Sequence, residues 1–559
     1  MTLPSHWRGW LIAVVLAYIA LFTFTRTDNY TDSFNYAKHV VDQENHAAPE
    51  GITNPFYNFG HPLWRPLGLL VWSPLRQPLH DRFGGDDILA AGAVLIAINL
   101  SAGLLGAIAM FLWIARVTSN ARIAALTTCA YVVTNALLHY TTSGMAYTTG
   151  ISLQIVALCL LQYALCRDRF SWLAGSLAGL FLGLSVGVWF PNILGTPGVF
   201  VYALWAGQAV PVRRRIPGLA GLVLVATLVC AVTYAAMIAL AKLHSLADIS
   251  AWIAQSRYGL VPDRGFLRMM GGIPRGFFWL GDTNLALKRL LFAHQSLSLL
   301  KLIQTGFGKI VLVYAVLAGT VLSLWRSETG RRLLITLLAY ALPLFYFAAF
   351  LFDPSPPERY LAAFPVLFLA FGFLLSSNSG MWLRSLLAVL FASMLIANVS
   401  AYSRFKSDRE FDGARANLRI LNQSLRPGDS VYLLSDLDQT MLLLRGNPFS
   451  PDTRNRYCFA TAIPWHTFQE ERWRAVFAKA VLDTWARGGR VWLSKVVLAP
   501  SPKPSWGWVE GDMPSIHWKD LPEFFSQLDF TASFGDAEGF SEVPPTEKNK
   551  VFLSAQASR

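Results

Sequence analysis

The sequence has little charge for its length. Of its 559 residues, 14% are charged and 54% are hydrophobic, whereas a soluble domain usually has about 25% charged residues. The chain is therefore far more apolar than a soluble protein of this size, which predicts a membrane protein. The formal net charge of +13 does not indicate nucleic-acid binding, because much of the excess lies between hydrophobic runs and is not clustered on a polar surface.

Cysteines and charges inside the hydrophobic runs are also scarce. The five cysteines show no CxxC or other ligand spacing, so the sequence suggests neither a disulfide framework nor a zinc site. No hydrophobic run carries a central Asp, Glu or Arg. A proton- or ion-driven transporter ordinarily needs such residues, and their absence favours chemistry at the outer surface over transport.

Hydropathy predicts about eleven membrane-spanning helices, because a bilayer core requires about 20 apolar residues per helix. The predicted spans are residues 9–25, 88–115, 122–139, 146–165, 171–189, 193–209, 217–241, 308–325, 333–352, 360–377 and 382–401. The predicted fold class is therefore a polytopic α-helical membrane protein.

The basic residues predict the orientation of these spans. If the N-terminus is cytoplasmic, the inside is the side that carries the Arg-rich connectors at 115–122, 167–169, 213–215 and 326–332 and Arg384, as the positive-inside rule requires. The opposite short connectors, 140–145, 190–192 and 353–359, contain Arg359 as their only Lys or Arg. An odd number of spans then places the C-terminus outside. Compact loops and the lack of an organelle-targeting signal indicate a multi-pass protein of a bacterial inner membrane.

The chain is predicted to have two domains. Residues 1–401 form a transmembrane catalytic module with external loops at 26–87 and 242–307. Residues 402–559 change sharply in composition. In this tail "GDSVYLLSD" predicts a turn and a buried strand, and "RGGRVWLSKVVLA" predicts a second passage from helix to strand. We therefore expect a small soluble α/β domain in the periplasm.

The first external loop contains an acid at helical spacing from an aromatic residue. In "TDSFNYAKHV" (31–40), Asp32 stands one helical turn before Tyr36. The stretch predicts a short helix on the membrane interface with Asp32 near its N-terminus. A solvated turn is the alternative interpretation of Asp32 and of the nearby Asp28.

A His-Pro pair follows in the same loop. It is His61 and Pro62 of "FGHPLWRPLG" (59–68). One interpretation is an interfacial segment anchored by Trp64 and Trp72, since tryptophan favours the headgroup region. The occurrence of this pair after the acid, within one loop, favours a functional interpretation.

These two motifs resemble those of the GT-C polytopic glycosyltransferases that use polyprenyl-phosphate sugars, including protein O-mannosyltransferases and lipid A aminoarabinose transferases. "DSFNYA" is similar to the family's Asp-Glu-x-x-Tyr-like motif, with Asp32 at the acid used as catalytic base and Tyr36 at the aromatic position. "HPLWRPL" is similar to its His-Pro-Pro-Leu-like motif and begins at His61. Ser33 replaces the second acid, and Leu63 replaces the second proline.

The resemblance implies an inverting membrane glycosyltransferase. It would move a hexosyl or pentosyl group from a polyprenyl-phosphate donor to a periplasmic glycan, lipid or protein. The reaction requires a base for the acceptor proton, for which Asp32 is the first candidate and Asp28 the second. It also requires cations for the departing phosphate. No cofactor is certain, and a divalent cation such as Mg²⁺ or Mn²⁺ is compatible with the family.

Two further external segments supply cations. The loop 255–292 is rich in arginine, and arginine can hold two phosphate oxygens at once. The alternative interpretation of this loop is a surface helix that contacts lipids. "LFDPSPPERYLAAFP" (351–365) adds Glu358 and Arg359. The alternative interpretation of these two residues is an exposed pair at a helix N-terminus. The predicted substrate-binding residues are Tyr36, His61, Arg65, Arg257, Arg264, Arg268, Arg275, Glu358 and Arg359.

Two other functions remain alternatives. An O-antigen polymerase or ligase would use a lipid diphosphate donor and a large late external loop, so replacing Asp32 would have little effect. A flippase or transporter for lipid-linked saccharides would release no polyprenyl phosphate. The expected partners are the lipid-linked sugar donor, membrane lipids and a periplasmic acceptor, without nucleic acid.

Overall fold

A computed structural model gives the fold of the chain. It describes residues 3–27, 31–48, 51, 54–83, 87–166, 171–206, 211–255, 265–280, 298, 300, 306–352, 356–377, 380–407, 426, 428–432, 473–495, 520–531, 533–534 and 539–558. The chain divides into two compact units. The first is Met1–Leu280 with Gly306–Lys406, and the second is Gly281–Thr305 with Ser407–Arg559.

The first unit is built from α-helices. In chain order they are α1 (Trp7–Phe24), α2 (Thr31–Glu44), α3 (Trp64–Arg82), α4 (Asp87–Thr118), α5 (Ala121–Val132), α6 (Asn135–Thr141), α7 (Tyr147–Cys166), α8 (Trp172–Val188), α9 (Thr196–Ala206), α10 (Val212–Leu240), α11 (Leu246–Gln255), α12 (Gly265–Phe277), α13 (Gly308–Trp325), α14 (Glu328–Tyr346), α15 (Glu358–Leu361), α16 (Phe364–Ser376) and α17 (Met381–Ser407). Short 3₁₀ helices at Pro55–Tyr57 and Phe190–Gly195 and a π-helical turn at Phe347–Leu351 join some of them.

Each predicted span contains a helix, and the multi-pass helical fold is confirmed. Within the described residues, seven helices are long and apolar enough to cross a membrane, or up to eight if the bent pair α5 and α6 is one span. The stretches predicted at 171–189, 193–209 and 360–377 contain the shorter helices α8, α9 and α16. Of these, α9 is shortened by the preceding 3₁₀ helix, in which Pro191 occupies the first turn.

Helices α8 and α10 pack through glycines. A Cβ atom on Gly175 would lie 1.8 Å from the carbonyl oxygen of Gly218, and one on Gly179 would lie 2.5 Å from that of Leu222. Any side chain larger than hydrogen would push the two backbones apart. Close backbone approach through small residues is the usual way in which helices associate in a lipid environment.

The break between α5 and α6 is held by an asparagine from a distant helix. The two helices are bent by 67°, so carbonyl groups at the bend lose their helical partners. The amide of Asn398, which is fully buried in α17, donates to the carbonyl oxygens of Val133 (2.8 Å) and Phe277 (2.7 Å). The same side chain therefore joins the bend to the end of α12.

The described parts of the two predicted loops are largely helical. Helix α2 begins at Thr31, so the helix predicted over "DSFNYAKHV" is confirmed. The segment after it packs against the C-terminal end of α10, where the hydroxyl of Tyr234 donates to the carbonyl of Phe59 at 3.2 Å. Trp252 of α11 donates to the carbonyl of Tyr57. The predicted loops at 26–87 and 242–307 therefore contact each other.

The second unit contains a mixed sheet within its described residues. Its elements are β1 (Ser430–Tyr432), α18 (Trp473–Ala486), β2 (Val491–Ser494), α19 (Asp520–Phe525), β3 (Ser533–Phe534), β4 (Phe540–Val543) and α20 (Glu547–Ala557). The strand order is β1-β2-β4-β3, with β1 parallel to β2 and the other pairs antiparallel. Val481, Leu493 and Leu553 lie in its hydrophobic core.

Candidate functional site

The first turn of α3 places a buried arginine against α2. Arg65 is 3% exposed, and its Nε donates to Nδ1 of His39 at 3.0 Å. Its guanidinium carbon lies 4.4 Å from the centre of the Tyr36 ring. Burial, followed by the charges of Arg65 and Lys38, lowers the pKa of His39 well below its usual value. His39 is therefore a neutral acceptor that fixes the Arg65 cation.

The charges of two arginines act on the buried His61. Its Nδ1 is 3.3 Å from the carbonyl oxygen of Val188, and its ring centre is 5.8 Å from that of Tyr36. Burial lowers the pKa of His61 to about 3, with further lowering by the charges of Arg65 and Arg359 and partial opposition from the Val188 bond. The imidazole is neutral at neutral pH and lies within the field of both guanidinium groups.

A buried ion pair stands at the start of α15. Glu358 is 5% exposed and accepts a hydrogen bond from the hydroxyl of Tyr140. Nη2 of Arg359 lies 3.5 Å from Oε1 of Glu358, and the guanidinium carbon lies 4.1 Å from the centre of the Phe352 ring. The interpretation of these residues as an exposed pair is therefore wrong for Glu358. Arg359 is held in place, and its Nε has no hydrogen-bond partner among the described residues.

Aromatic side chains link this ion pair to His61. The ring centres of Tyr140 and Tyr147 are 4.7 Å apart, and those of Tyr147 and His61 are 5.8 Å apart. The Trp189 ring lies 5.0 Å from Tyr147 on the other side. Sequence reasoning missed all three aromatic residues. The signal that could have found them is their position beside the connectors 140–145 and 190–192, opposite the Arg-rich connectors.

The first turn of α2 is bonded to the segment between α6 and α7. Ser33 is 1% exposed, and its hydroxyl accepts a hydrogen bond from the Gly144 amide at 2.8 Å. Trp64 donates to the carbonyl of Gly144 at 2.9 Å. Ser33 therefore has a packing role at the position where the related motif has its second acid, and a longer carboxylate would have little space there.

The predicted bases are only partly described. Asp32 lies in the first turn of α2, directly before Ser33, but its side chain lies outside the described part of the structure. Asp28 also lies outside the described residues. The backbone of α2 nevertheless places Asp32 next to Ser33, which bonds to Gly144, and one helical turn before Tyr36, which contacts Arg65.

Two of the four predicted arginines of the second loop lie within the described part of the structure. Arg257 and Arg264 lie outside the described residues. Arg268 and Arg275 are half-buried on α12, which packs against α6 and α15. Asn135 of α6 donates to the carbonyl of Arg275 at 2.6 Å. This contact holds the basic helix α12 beside the helices that carry Tyr140 and Glu358.

The described side chains do not suit a divalent cation. In the described part of the chain, no group of three or more His, Cys, Asp and Glu residues could hold a metal ion. Glu358 is engaged with a hydroxyl donor and a guanidinium group, and both neighbouring histidines lie beside arginine. A Mg²⁺ or Mn²⁺ site would therefore need residues outside this set.

Two solved structures have a similar fold. ArnT from Cupriavidus metallidurans bound to undecaprenyl phosphate is 12% identical, with a TM-score of 0.53, and the match covers 97% of this chain and 98% of that one. The Archaeoglobus fulgidus oligosaccharyltransferase, tethered with an acceptor peptide containing the NVT sequon, is 13% identical, with a TM-score of 0.50, and the match covers 97% of this chain and 74% of that one. At these identities the comparisons show a shared fold, and the predicted resemblance in fold is confirmed. No protein-family model and no curated protein matches the sequence.

Proposed function

We propose that this chain is an inner-membrane glycosyltransferase that moves a sugar from a polyprenyl-phosphate donor to a periplasmic acceptor. The observation that carries the proposal is a series of contacts between Arg65 and Arg359. Arg65 lies 4.4 Å from the Tyr36 ring, which is 5.8 Å from the His61 ring. The rings of Tyr147 and Tyr140 then connect His61 to the pair of Glu358 and Arg359. We call Arg65 and Arg359 the arginine centre. Asp32 lies in the first turn of α2, one helical turn before Tyr36, which contacts Arg65. The fold shared with ArnT, which was crystallised with undecaprenyl phosphate, supports the lipid-linked donor.

Arg359 is the proposed ligand of the donor phosphate. Its charge is oriented by Glu358 and Phe352, while its Nε proton has no protein acceptor among the described residues. A guanidinium group binds phosphate oxygens through charge-assisted hydrogen bonds, and its charge stabilises a departing phosphate more strongly in a site that excludes water. Arg65 is engaged with His39 and Tyr36, so its proposed contribution is electrostatic.

Asp32 is the proposed base, with Asp28 as the second candidate. The acceptor oxygen or nitrogen attacks the anomeric carbon from the side opposite the phosphate, and the bond between that carbon and the phosphate oxygen breaks. Polyprenyl phosphate leaves with the bonding electrons, and the carboxylate takes the acceptor proton. The anomeric configuration is inverted. A general base of this kind typically contributes 10²- to 10⁴-fold in rate.

The test compares two acids of the same helix. Asp32→Asn should reduce sugar transfer by about 10²-fold or more. Asp42→Asn is the matched control, because Asp42 pairs with Lys38 further along α2 and should retain activity. Both purified variants are incubated with a panel of polyprenyl-phosphate sugars and membrane-derived acceptors, and the products are analysed by mass. Normal turnover by Asp32→Asn would refute the assignment of the base.

The same assay separates the alternative functions. A polyprenyl-phosphate glycosyltransferase releases the lipid monophosphate, whereas a ligase or polymerase releases a lipid diphosphate. A transporter releases neither from a labelled donor. Release of diphosphate with Asp32→Asn fully active would favour the ligase.

A further inference from the structure

An apolar groove lies between α9 and α10. It has a volume of about 730 Å³ and is lined by eight residues, among them Phe200 of α9 and Ile216, Ala220 and Thr227 of α10. Along α10 the lining runs from Ile216 to Thr227, which is 11 residue steps or about 16 Å at 1.5 Å per residue. This is about half of the roughly 30 Å hydrocarbon core of a bilayer. The groove therefore has the length and the apolar character for an acyl chain of one leaflet.

Three adjacent arginines stand at one end of this groove. Arg213 and Arg214 are exposed, whereas Arg215 is buried and donates to the Leu204 carbonyl at 2.7 Å, which joins α9 to α10 at this end. Arg213 precedes Ile216 by three positions and Ala220 by seven, so it lies on the groove side of α10. The sequence contains no Asp or Glu from residue 169 to residue 247.

The groove is separate from the candidate functional site. Tyr234, near the other end of α10, contacts the segment that precedes His61. Arg213 is 21 residues from Tyr234 along one helix, or about 32 Å. A lipid with its phosphate at Arg213 would therefore lie in the leaflet opposite the one that holds the proposed donor phosphate.

We infer that this groove binds an anionic phospholipid, with an acyl chain along α10 and the headgroup phosphate at Arg213 and Arg214. Basic residues at the end of an apolar groove between transmembrane helices favour anionic over zwitterionic lipids, since each Lys or Arg near a lipid surface contributes about 1 kcal/mol. The inference does not depend on the glycosyltransferase activity.

The test measures lipid retention on the purified full-length protein by native mass spectrometry. The protein is exchanged into detergent and titrated with phosphatidylglycerol or with phosphatidylcholine of the same acyl chains. We expect one phosphatidylglycerol to remain bound in preference to phosphatidylcholine. The double variant Arg213→Gln, Arg214→Gln should bind phosphatidylglycerol about 30-fold more weakly. Arg331→Gln, Arg332→Gln, at another basic connector, is the matched control and should retain the lipid.

A second pair of variants tests the groove itself. Ala220→Trp should fill it and prevent retention of the lipid. Leu228→Trp places the same side chain on an exposed position of α10 outside the groove lining and should leave retention unchanged. Equal retention of the two lipids, retention by the Arg213 and Arg214 variant, or retention by a folded Ala220→Trp variant would each overturn the inference. The arginine pair is exposed, so its result does not depend on how the core tolerates tryptophan.

Discussion

Glu358 is a buried carboxylate. Folded proteins bury such a group only where neighbouring groups compensate its charge. Removing one partner of a buried ion pair typically costs about 3–5 kcal/mol, because the other charge remains unpaired. Here the hydroxyl of Tyr140 and the guanidinium of Arg359 compensate the carboxylate. Glu358 therefore positions Arg359.

Replacing Arg359 by alanine should weaken donor use. The expected change is a rise of about 10- to 100-fold in the KM for the polyprenyl-phosphate sugar, since a hydrogen bond to a charged group contributes about 1.5–3 kcal/mol. The KM for the acceptor should change much less. Steady-state kinetics with each substrate varied in turn provide the measurement. Arg332→Ala, which removes an exposed partner of Glu328, is the control, and equal donor KM values for both variants would contradict the phosphate role.

His61 should make the protein less stable in mild acid. Its pKa is about 3 in the folded protein and about 6.5 when unfolded. Below pH 6.5 the unfolded chain therefore binds a proton that the native state excludes, so stability falls as the pH decreases from 6.5 towards 3. In His61→Gln, the decrease in unfolding temperature between pH 7 and pH 5 should be smaller than in the wild type. Identical decreases in the two proteins would exclude this contribution.

Among the elements, the contact of α8 with α10 tolerates little change. Cβ atoms at Gly175 and Gly179 would overlap backbone atoms of α10, and a backbone cannot move aside as a flexible side chain can. Helix α10 also carries the apolar groove and the contact between Tyr234 and Phe59. Separation of α8 from α10 would therefore disturb both ends of the helix.

Gly179→Leu should lower the unfolding temperature substantially, because overpacking in a close-packed contact costs about 1–3 kcal/mol or more. Gly9→Leu is the matched control, since Gly9 lies in a helix and a Cβ atom there would meet nothing within 4 Å. That variant should be neutral or slightly stabilising, because leucine favours a helix over glycine. Thermal unfolding in detergent, followed by tryptophan fluorescence, compares the two. Similar unfolding temperatures would show that the glycine contact is not limiting.

For the whole molecule, the charge distribution predicts the orientation in the membrane. The connector between α13 and α14 contains Arg326, and α14 begins with Arg331 and Arg332 close to its N-terminus. The connector 353–359, which ends in the first turn of α15, contains Arg359 as its only basic residue. The positive-inside rule therefore predicts that the end of the first unit that carries Arg359 lies outside the cytoplasm.

Alkaline phosphatase fusions test this orientation, since the enzyme is active only outside the cytoplasm. A fusion at Arg559 should be active, and a fusion truncated after Trp325 should be inactive. Phosphatase activity in intact cells, normalised to the amount of fusion protein, is the measurement. The reverse result would contradict both the orientation and the proposed periplasmic acceptor.

Sequence patterns predicted local features better than distant contacts. Hydropathy located the helices because each span is a continuous apolar run, and helical spacing predicted α2 around Asp32 and Tyr36. The bond between Tyr140 and Glu358 joins residues 218 positions apart, and nothing in either local sequence specifies the other. Ser33 likewise gave no local sign of its bond to Gly144. Such pairings depend on how the spans assemble, which periodicity does not encode.

The uncharged state of His61 affects turnover under the proposed function. The donor phosphodiester carries one negative charge, whereas the released phosphomonoester carries nearly two at neutral pH. The fixed guanidinium groups therefore bind the released polyprenyl phosphate more strongly than the sugar-loaded donor. Because His61 is already neutral, it has no proton to lose and cannot weaken this binding by giving up a positive charge. We expect product inhibition, with departure of the carrier limiting the steady-state rate.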